Sequence, residues 1–400
     1  MKKNNIQKLA LGLALVSNVS FAASLPTSTP FVQRTPPSGF FLNDLSFNSR
    51  AMYEFMSWDK AGKLGEKESL FVGGKVAVDA QAWSVDAGFL DSNGNTLDNG
   101  STAFLQNARL LMTGKISEST SFAYGRGFRM NRTLFAFATI APKGTNWMLS
   151  GGNMILPFGN LNGAGAPYTF ELSLAAYQIN ENGVMLAYQN DNTRVSGTVF
   201  RPSATFQSSL SDFVLDGEYD VDVTKGVKLT FGGSYLNDIR GVNRNTSGGV
   251  NSGSINGYLG RQWTPANSNQ GKIGAYDLRA QVSFNNFRVL GEYISNTRNS
   301  SVTDNKKAKI QTVSVSYDGL RAFDMSHRIF ASYNHTDNMS GIPLTPGGFI
   351  VADSPVRTQW LAGVSTYVYS NTKVSFEGLY SKSYDKKGYL NGTLDLSVYF

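Results

Sequence analysis

From residue 70 onward the chain alternates apolar and polar side chains with a period of two. The pattern is cleanest over residues 213–223. There Phe213, Leu215, Gly217, Tyr219, Val221 and Val223 fall on one face, and Asp216, Glu218, Asp220 and Asp222 on the other. A helix, turning about 100° per residue, mixes these two sets, whereas an extended strand separates them. Residues 276–284 repeat the pattern, with Tyr276, Leu278, Ala280, Val282 and Phe284 against Asp277, Arg279, Gln281 and Ser283. Residues 359–368 do the same, with Trp360, Ala362 and Val364 against Gln359, Leu361, Gly363 and Ser365. Strands with one apolar and one polar side suit a wall between lipid and an aqueous interior.

Sixteen such segments are predicted: 70–82, 104–116, 120–129, 133–141, 146–153, 183–190, 194–201, 212–223, 226–237, 274–285, 287–296, 309–319, 326–336, 356–369, 372–383 and 389–400. The predicted fold is all-β, a transmembrane antiparallel β-barrel over residues 70–400. In such barrels both termini lie in the periplasm, turns there are short, and outside loops are longer. Residues 168–178 also alternate, but a spanning strand there would put the longest connection, 238–273, on the periplasmic side. Parity therefore assigns 154–182 to one outside loop after the fifth strand. In sixteen-stranded porins, which this pattern resembles, that loop typically folds inward and narrows the channel. Pro157, Gly159, Gly163, Gly165 and Pro167 allow such a bend. Leu156, Pro157, Phe158 and Gly159 are the candidate constriction residues.

Residues 1–22 have the layout of a secretory signal: Lys2, Lys3 and Lys8, an apolar stretch from Leu9 to Val16, and Ser20-Phe21-Ala22 before the expected cleavage. Removing three lysines and no acids lowers the formal charge from +7 to +4, so the mature chain is only mildly basic and no nucleic-acid partner is expected. There is no Cys, so stability must come from something other than disulfides, such as closure of a sheet. No later segment offers a long charge-free apolar run, which argues against an inner-membrane helical protein. Residues 23–69 form an N-terminal extension without alternation. Pro26, Pro30, Pro36 and Pro37 keep its first part extended, and residues 42–56 suit a short helix with Leu45, Met52 and Met56 near one side. It either hangs in the periplasm or enters the barrel as a small plug.

Catalytic chemistry has little support. His327 and His335 are the only histidines, so neither a multi-histidine nor a Cys-containing metal site is available. Asp337 could orient His335, but a polar turn explains that histidine better. GAGAPY lacks the following Lys and the strand-to-helix context of a phosphate cradle. No enzyme activity or cofactor is expected. By alternation the inward cations are Lys75, Arg109, Lys115, Lys228, Arg279, Arg288, Arg328, Arg357 and Lys373. The inward acids are Asp79, Asp216, Glu218, Asp220, Asp222, Asp277, Glu292 and Glu377. The signs nearly balance, which speaks against a strongly anion-selective lining.

The last segment, with Leu390, Leu394, Leu396, Val398 and Phe400 on one side, resembles the terminal strand of bacterial outer-membrane proteins. That resemblance implies a bilayer of outer-membrane lipid as surroundings and the barrel-assembly machinery as a partner that recognises Phe400. GNMILPFGN at 152–160, followed by APYTFELSLAAYQINENGVMLAYQN at 166–190, resembles the siderophore porin family typified by the legiobactin receptor. Leu156, Pro157, Phe158 and Gly159 match its turn, and Pro167, Thr169 and Leu172 approximate the next part. Tyr168 stands where that family has Leu, and the acids after the segment are few, Glu171 and Glu181. NDLSFNSRAMYEF ahead of LFVGGKVAV is similar to the region before its first strand. The resemblance implies TonB-independent uptake of a ferric polycarboxylate siderophore. Arginine binds carboxylates through two parallel hydrogen bonds, so Arg109, Arg279, Arg288, Arg328 and Arg357 would line the path, with Arg126, Arg129 and Arg132 at the mouth. Two functions stay open on the sequence: a channel for small hydrophilic solutes, or a surface binding barrel of adhesin type with an occluded lumen.

Overall fold

The alternating segments pair into one closed sheet. The structure, a computed structural model, describes residues 32–33, 51–64, 69–86, 96–128, 132–160, 172, 177–202, 210–239, 271–299, 303, 305–322, 325–340, 355–369 and 371–400. The expected signal segment, Arg129, and the stretches 161–171 and 240–270 lie outside the described residues.

The barrel strands are β1 (Ser69–Val85), β2 (Gly100–Lys115), β3 (Thr120–Gly127), β4 (Arg132–Ile140), β5 (Trp147–Ile155), β6 (Asn180–Gln189), β7 (Thr193–Arg201) and β8 (Asp212–Thr224). They continue as β9 (Val227–Leu236), β10 (Ala275–Phe284), β11 (Phe287–Asn296), β12 (Lys309–Ala322), β13 (Met325–Asp337), β14 (Val356–Tyr369), β15 (Thr372–Ser383) and β16 (Gly388–Tyr399). Each pairs antiparallel with its sequence neighbours, and β16 pairs with β1, so the sixteen expected strands close into a barrel. A two-residue strand, Val32–Gln33, runs parallel to β1 at Leu70 and Phe71.

Short turns gather at one end, as the parity argument requires. The turns after β8 and β10 are two residues each, and Gly226 and Asn285 take the left-handed backbone that such tight reversals need. The strand ends that flank the longer connections, 156–179 and 237–274 among them, lie at the other end.

Outward side chains are apolar: Leu186, Leu215, Phe231, Leu278, Phe376 and Leu394 all stand exposed on the outer face. Aromatic pairs mark both rims of this band. Trp147 with Tyr188 (5.0 Å) and Phe287 with Tyr317 (4.4 Å) sit toward the short-turn end. Phe213 with Tyr235 (6.0 Å) and Tyr333 with Trp360 (4.4 Å) sit toward the long-loop end. Such girdles are where amphipathic rings meet the lipid–water boundary.

The closing seam depends on one glycine. Gly74 donates its N–H to the Phe400 carbonyl at 2.8 Å and accepts from the Phe400 N–H at 3.2 Å. A Cβ at Gly74 would meet the Phe400 ring at 2.3 Å and the Arg109 carbonyl at 2.5 Å, so only glycine lets the last residue lie there.

The interior holds a helix, α1 (Ala51–Lys60), which runs four residues past the end of the expected 42–56; residues 42–50 lie outside the described residues. Met52, Phe55 and Met56, spaced to share one side, are buried against inward residues of β2–β8 that are themselves apolar: Leu111, Phe135, Phe137, Met148, Met185 and Phe200. Phe55 meets Phe137 edge-on at 5.4 Å. Of the two expected locations of the extension, this helix occupies the barrel interior.

Candidate functional site in the barrel interior

Helix α1 is tied to the wall at both ends. The Tyr53 hydroxyl donates to Asp216 Oδ2 at 2.9 Å and lies 2.8 Å from Ser196 Oγ. Toward the short-turn end, Asp59 pairs with Lys115 at 2.8 Å, and Ser57 Oγ accepts from Gln189 Nε2 at 2.7 Å. Lys60 donates to Asn146 Oδ1 at 2.6 Å and to the Gln189 carbonyl.

A second segment enters from the long-loop end. After β5, Leu156 and Phe158 are buried in the interior core, and the chain then reaches the wall several strands away. The Gly159 N–H donates to Ser234 Oγ on β9 at 2.9 Å, and the Asn160 N–H to Glu292 Oε1 on β11 at 2.5 Å. On the return, the Tyr177 hydroxyl donates to Asn296 Oδ1 at 2.8 Å, and burial pushes the pKa of this phenol well above its usual value.

Both intruding segments meet one polar network. Arg279 on β10 binds Asp216 at 2.7 Å, Glu218 at 3.3 Å and, more tightly, Asp277. It also donates to Ser234 Oγ at 3.0 Å, and Ser234 donates to Asp216 Oδ1 at 2.8 Å. Gly232, directly across from Arg279, makes room for the guanidinium, since a Cβ there would stand 2.7 Å from its Nε. Asp216 therefore joins the helix through Tyr53, the wall through Arg279, and the β5–β6 connection through Ser234. A second ladder lies nearer the short-turn end. Arg194 bridges Glu218 (2.5 Å) and Asp220 (2.8 Å), and Lys228 also binds Asp220 at 2.7 Å.

The sequence-predicted arginines separate into distinct settings. Arg279 is committed to carboxylates, with its side chain 2% exposed. Arg109 is buried across from Lys75 on the inner face. Arg328 grips Asp318 through Nε to Oδ1 and through Nη2 to Oδ2, the latter at 2.9 Å, near the short-turn end. Arg288 is exposed on β11, toward the same end. Arg357, exposed at a register shift of β14, lies over the Tyr384 ring at 6.0 Å. Arg126 stands beside Leu110 on the outer face, so it does not point into the mouth as expected. Arg132 lies on β4, and its side chain lies outside the described residues.

Sequence reasoning missed Tyr53, Ser234 and Arg194. Arg194 was findable, because Arg194, Ser196 and Thr198 alternate with Val195 and Val199. Nothing local marks Tyr53, whose partner is 163 residues away.

No family model and no curated protein matches this sequence. Solved structures do match. The in-vitro folded OmpT, an outer membrane protein of Vibrio cholerae, aligns with TM-score 0.52 at 10% identity over 83% of this chain and 97% of that one. The outer membrane channel DcaP of Acinetobacter baumannii gives 0.51 at 11%, over 83% and 97%. The anion-selective porin from Comamonas acidovorans gives 0.52 at 9%, over 83% and 99%. At such identities the likeness shows a shared fold: the chain has the barrel fold of bacterial outer-membrane porins.

Proposed function

We propose that this protein is an outer-membrane channel for small hydrophilic solutes, narrowed from within by the β5–β6 connection and by α1. The observation that carries this reading is the pair of contacts from Gly159 and Asn160 to Ser234 and Glu292. They run from the end of β5 to strands β9 and β11, so this connection crosses the interior instead of lying over the rim. The integral outer-membrane location follows from the barrel fold and its apolar outer band.

The test is single-channel conductance of refolded protein in planar bilayers, comparing the native chain with one in which residues 158–170 are replaced by a short Gly-Ser link. The shortened chain should conduct more. Equal conductance would remove the constriction. Absence of current from both proteins would favour the surface-binding barrel, which the filled β2–β8 side of the interior also suits.

A second reading is TonB-independent passage of a ferric polycarboxylate, supported by the Leu156-Pro157-Phe158-Gly159 turn at the point where the chain enters the interior. With Arg279 and Arg328 held by carboxylates, its anion contacts would fall to Arg288 and Arg357. Replacing both with Gln should slow flux of ferric citrate and spare a neutral sugar. Equal effects on both solutes would leave a general channel.

A further inference from the structure

On the inner face, Arg194, Lys228, Arg279 and Arg328 are each held by carboxylates. A second set of cations lies at the long-loop end of β12–β16. Lys306 and Lys307 lead into β12, Lys309 begins it, Lys382 lies near the end of β15, and Lys386 and Lys387 sit in the turn between β15 and β16. None of these six ammonium groups has an ion-pair or hydrogen-bond partner among the described residues.

Local structure turns several of them toward the membrane boundary. Ala308 and Ile310 are buried in the interior core, so alternation puts Lys307 and Lys309 on the outer face. Asn338 Nδ2 donates to the Lys307 carbonyl at 2.8 Å and pins this entry against the end of β13. Lys382 is exposed between the inward Ser381 and Ser383. Strand register then orders the outer face. One row holds the rings of Tyr333, Trp360 and Tyr380, and the next row toward the loops holds His335, Thr358 and Lys382. Lys309 stands one row further, across from Asp337. Three strand spacings, about 14 Å, separate β12 from β15 along the wall. Lys386 has a left-handed backbone, φ 65°, where glycine or asparagine is the ordinary choice, so the turn carries this charge at a conformational cost.

The acids nearby are fewer. At the long-loop end of β12–β16 the described carboxylates are Asp337 and Asp385, and Asp337 Oδ1 already lies 3.2 Å from His335 Nε2. Asp86, just past the end of β1, accepts from the Gly388 N–H at 2.6 Å. Six exposed or half-exposed lysines therefore leave this rim positive.

We infer that this rim is a docking surface for an outer-leaflet lipid whose headgroup carries phosphate. The lysines stand beside the aromatic row that meets the lipid–water boundary, where their aliphatic stems lie along the wall and their ammonium groups reach headgroups. Unpaired lysines clustered at that level attract an anionic lipid surface. Their spread over several strands suits a headgroup with more than one phosphate, and they bind it without a bridging divalent cation. The surface rests on the barrel's place in the membrane and not on what passes its lumen.

The test mixes the full chain, refolded in detergent, with lipid A bearing two phosphates, and measures the lipid retained after chromatography in EDTA. Retention should saturate, persist without Mg²⁺ and fall as salt rises. Removing both phosphates from the lipid should lower its affinity about tenfold or more. The combination Lys307→Gln, Lys309→Gln, Lys382→Gln and Lys386→Asn should do the same. Lys143→Gln with Lys225→Gln, exposed at the short-turn end, should change nothing. Should the fourfold variant not fold, Trp emission of the native chain is compared with Trp360→Phe. Lipid A should then alter the native emission, and Trp360→Phe should lose that change. Equal retention of the phosphate-free lipid, retention only with Mg²⁺, full retention by the fourfold variant, or an emission change that survives Trp360→Phe would overturn the docking surface. So would displacement by millimolar inorganic phosphate, or tighter binding of heparin than of lipid A, since either would mark a site for dissolved anions.

Discussion

The arginine at position 279 allows the sharpest test, because a ligand-binding role and a structural role give opposite outcomes. Replacing it with Met keeps the bulk of the side chain and removes the charge. Asp216 and Asp277, whose side chains are fully buried, and Glu218, which is 10% exposed, would then face one another without a cation. Breaking a buried pair in this way costs roughly 3–5 kcal/mol. Arg279→Lys keeps the charge but loses the planar fork that reaches Asp216, Asp277 and Ser234 together, and a loss of about 1–3 kcal/mol is expected. Combining Arg279→Met with Asp216→Asn and Asp277→Asn should recover most of the loss, since the amides can still accept from Tyr53 and Ser234. The assay is reversible urea unfolding in phospholipid vesicles, followed by Trp emission and by heat-dependent gel mobility. A native-like midpoint for Arg279→Met with reduced solute flux would refute the structural role. So would a combined variant no more stable than the single one.

Further outcomes are expected elsewhere. Leu394→Arg, on the lipid face, should cost about 2–4 kcal/mol in vesicles, read as a lowered urea midpoint. Phe55→Ala should cost about 3–5 kcal/mol if α1 is packed as described, and should change the emission of neighbouring Trp58. Gly74→Val should block the last residue from its place in the seam and give a barrel that no longer resists SDS without heating. Deleting Phe400 should lower surface levels in cells, and normal levels would remove its role as an assembly signal.

The barrel was legible because each strand must satisfy two media at once. Over 213–223 and 389–400 this left a clean alternation, and the parity of loop lengths set the count. The interior was harder to read where it departs from that rule. Residues 133–140, TLFAFATI, are apolar on both faces, because Phe135 and Phe137 turn inward to meet α1 while Ala136, Ala138 and Ile140 face lipid. That loss of alternation is itself the trace of a docked partner, and it is visible in the sequence once its meaning is known. The arginines were less legible. Alternation tells which face a side chain occupies but not which carboxylates lie on the next strand, so Arg279 and Arg288 read alike. The bulge between Gly125 and Arg126, which breaks the register with β4, has no sequence signal we can identify.

The placement of α1 constrains the order in which this barrel can be made. The helix precedes every barrel strand in the chain, yet its wall is β2–β8, and Tyr53 must wait for Asp216, synthesised 163 residues later. Contacts of such separation form slowly, because a long loop must close before they give any return. Once β16 has zipped to β1, a helix left outside would have to thread a finished ring. A sheet that curls around the helix while its edges are still open avoids that step, with the seam at Gly74 and Phe400 sealed last. A delay in that final step would leave an open trough with its passenger already aboard, and trapping this intermediate by crosslinking would reveal it.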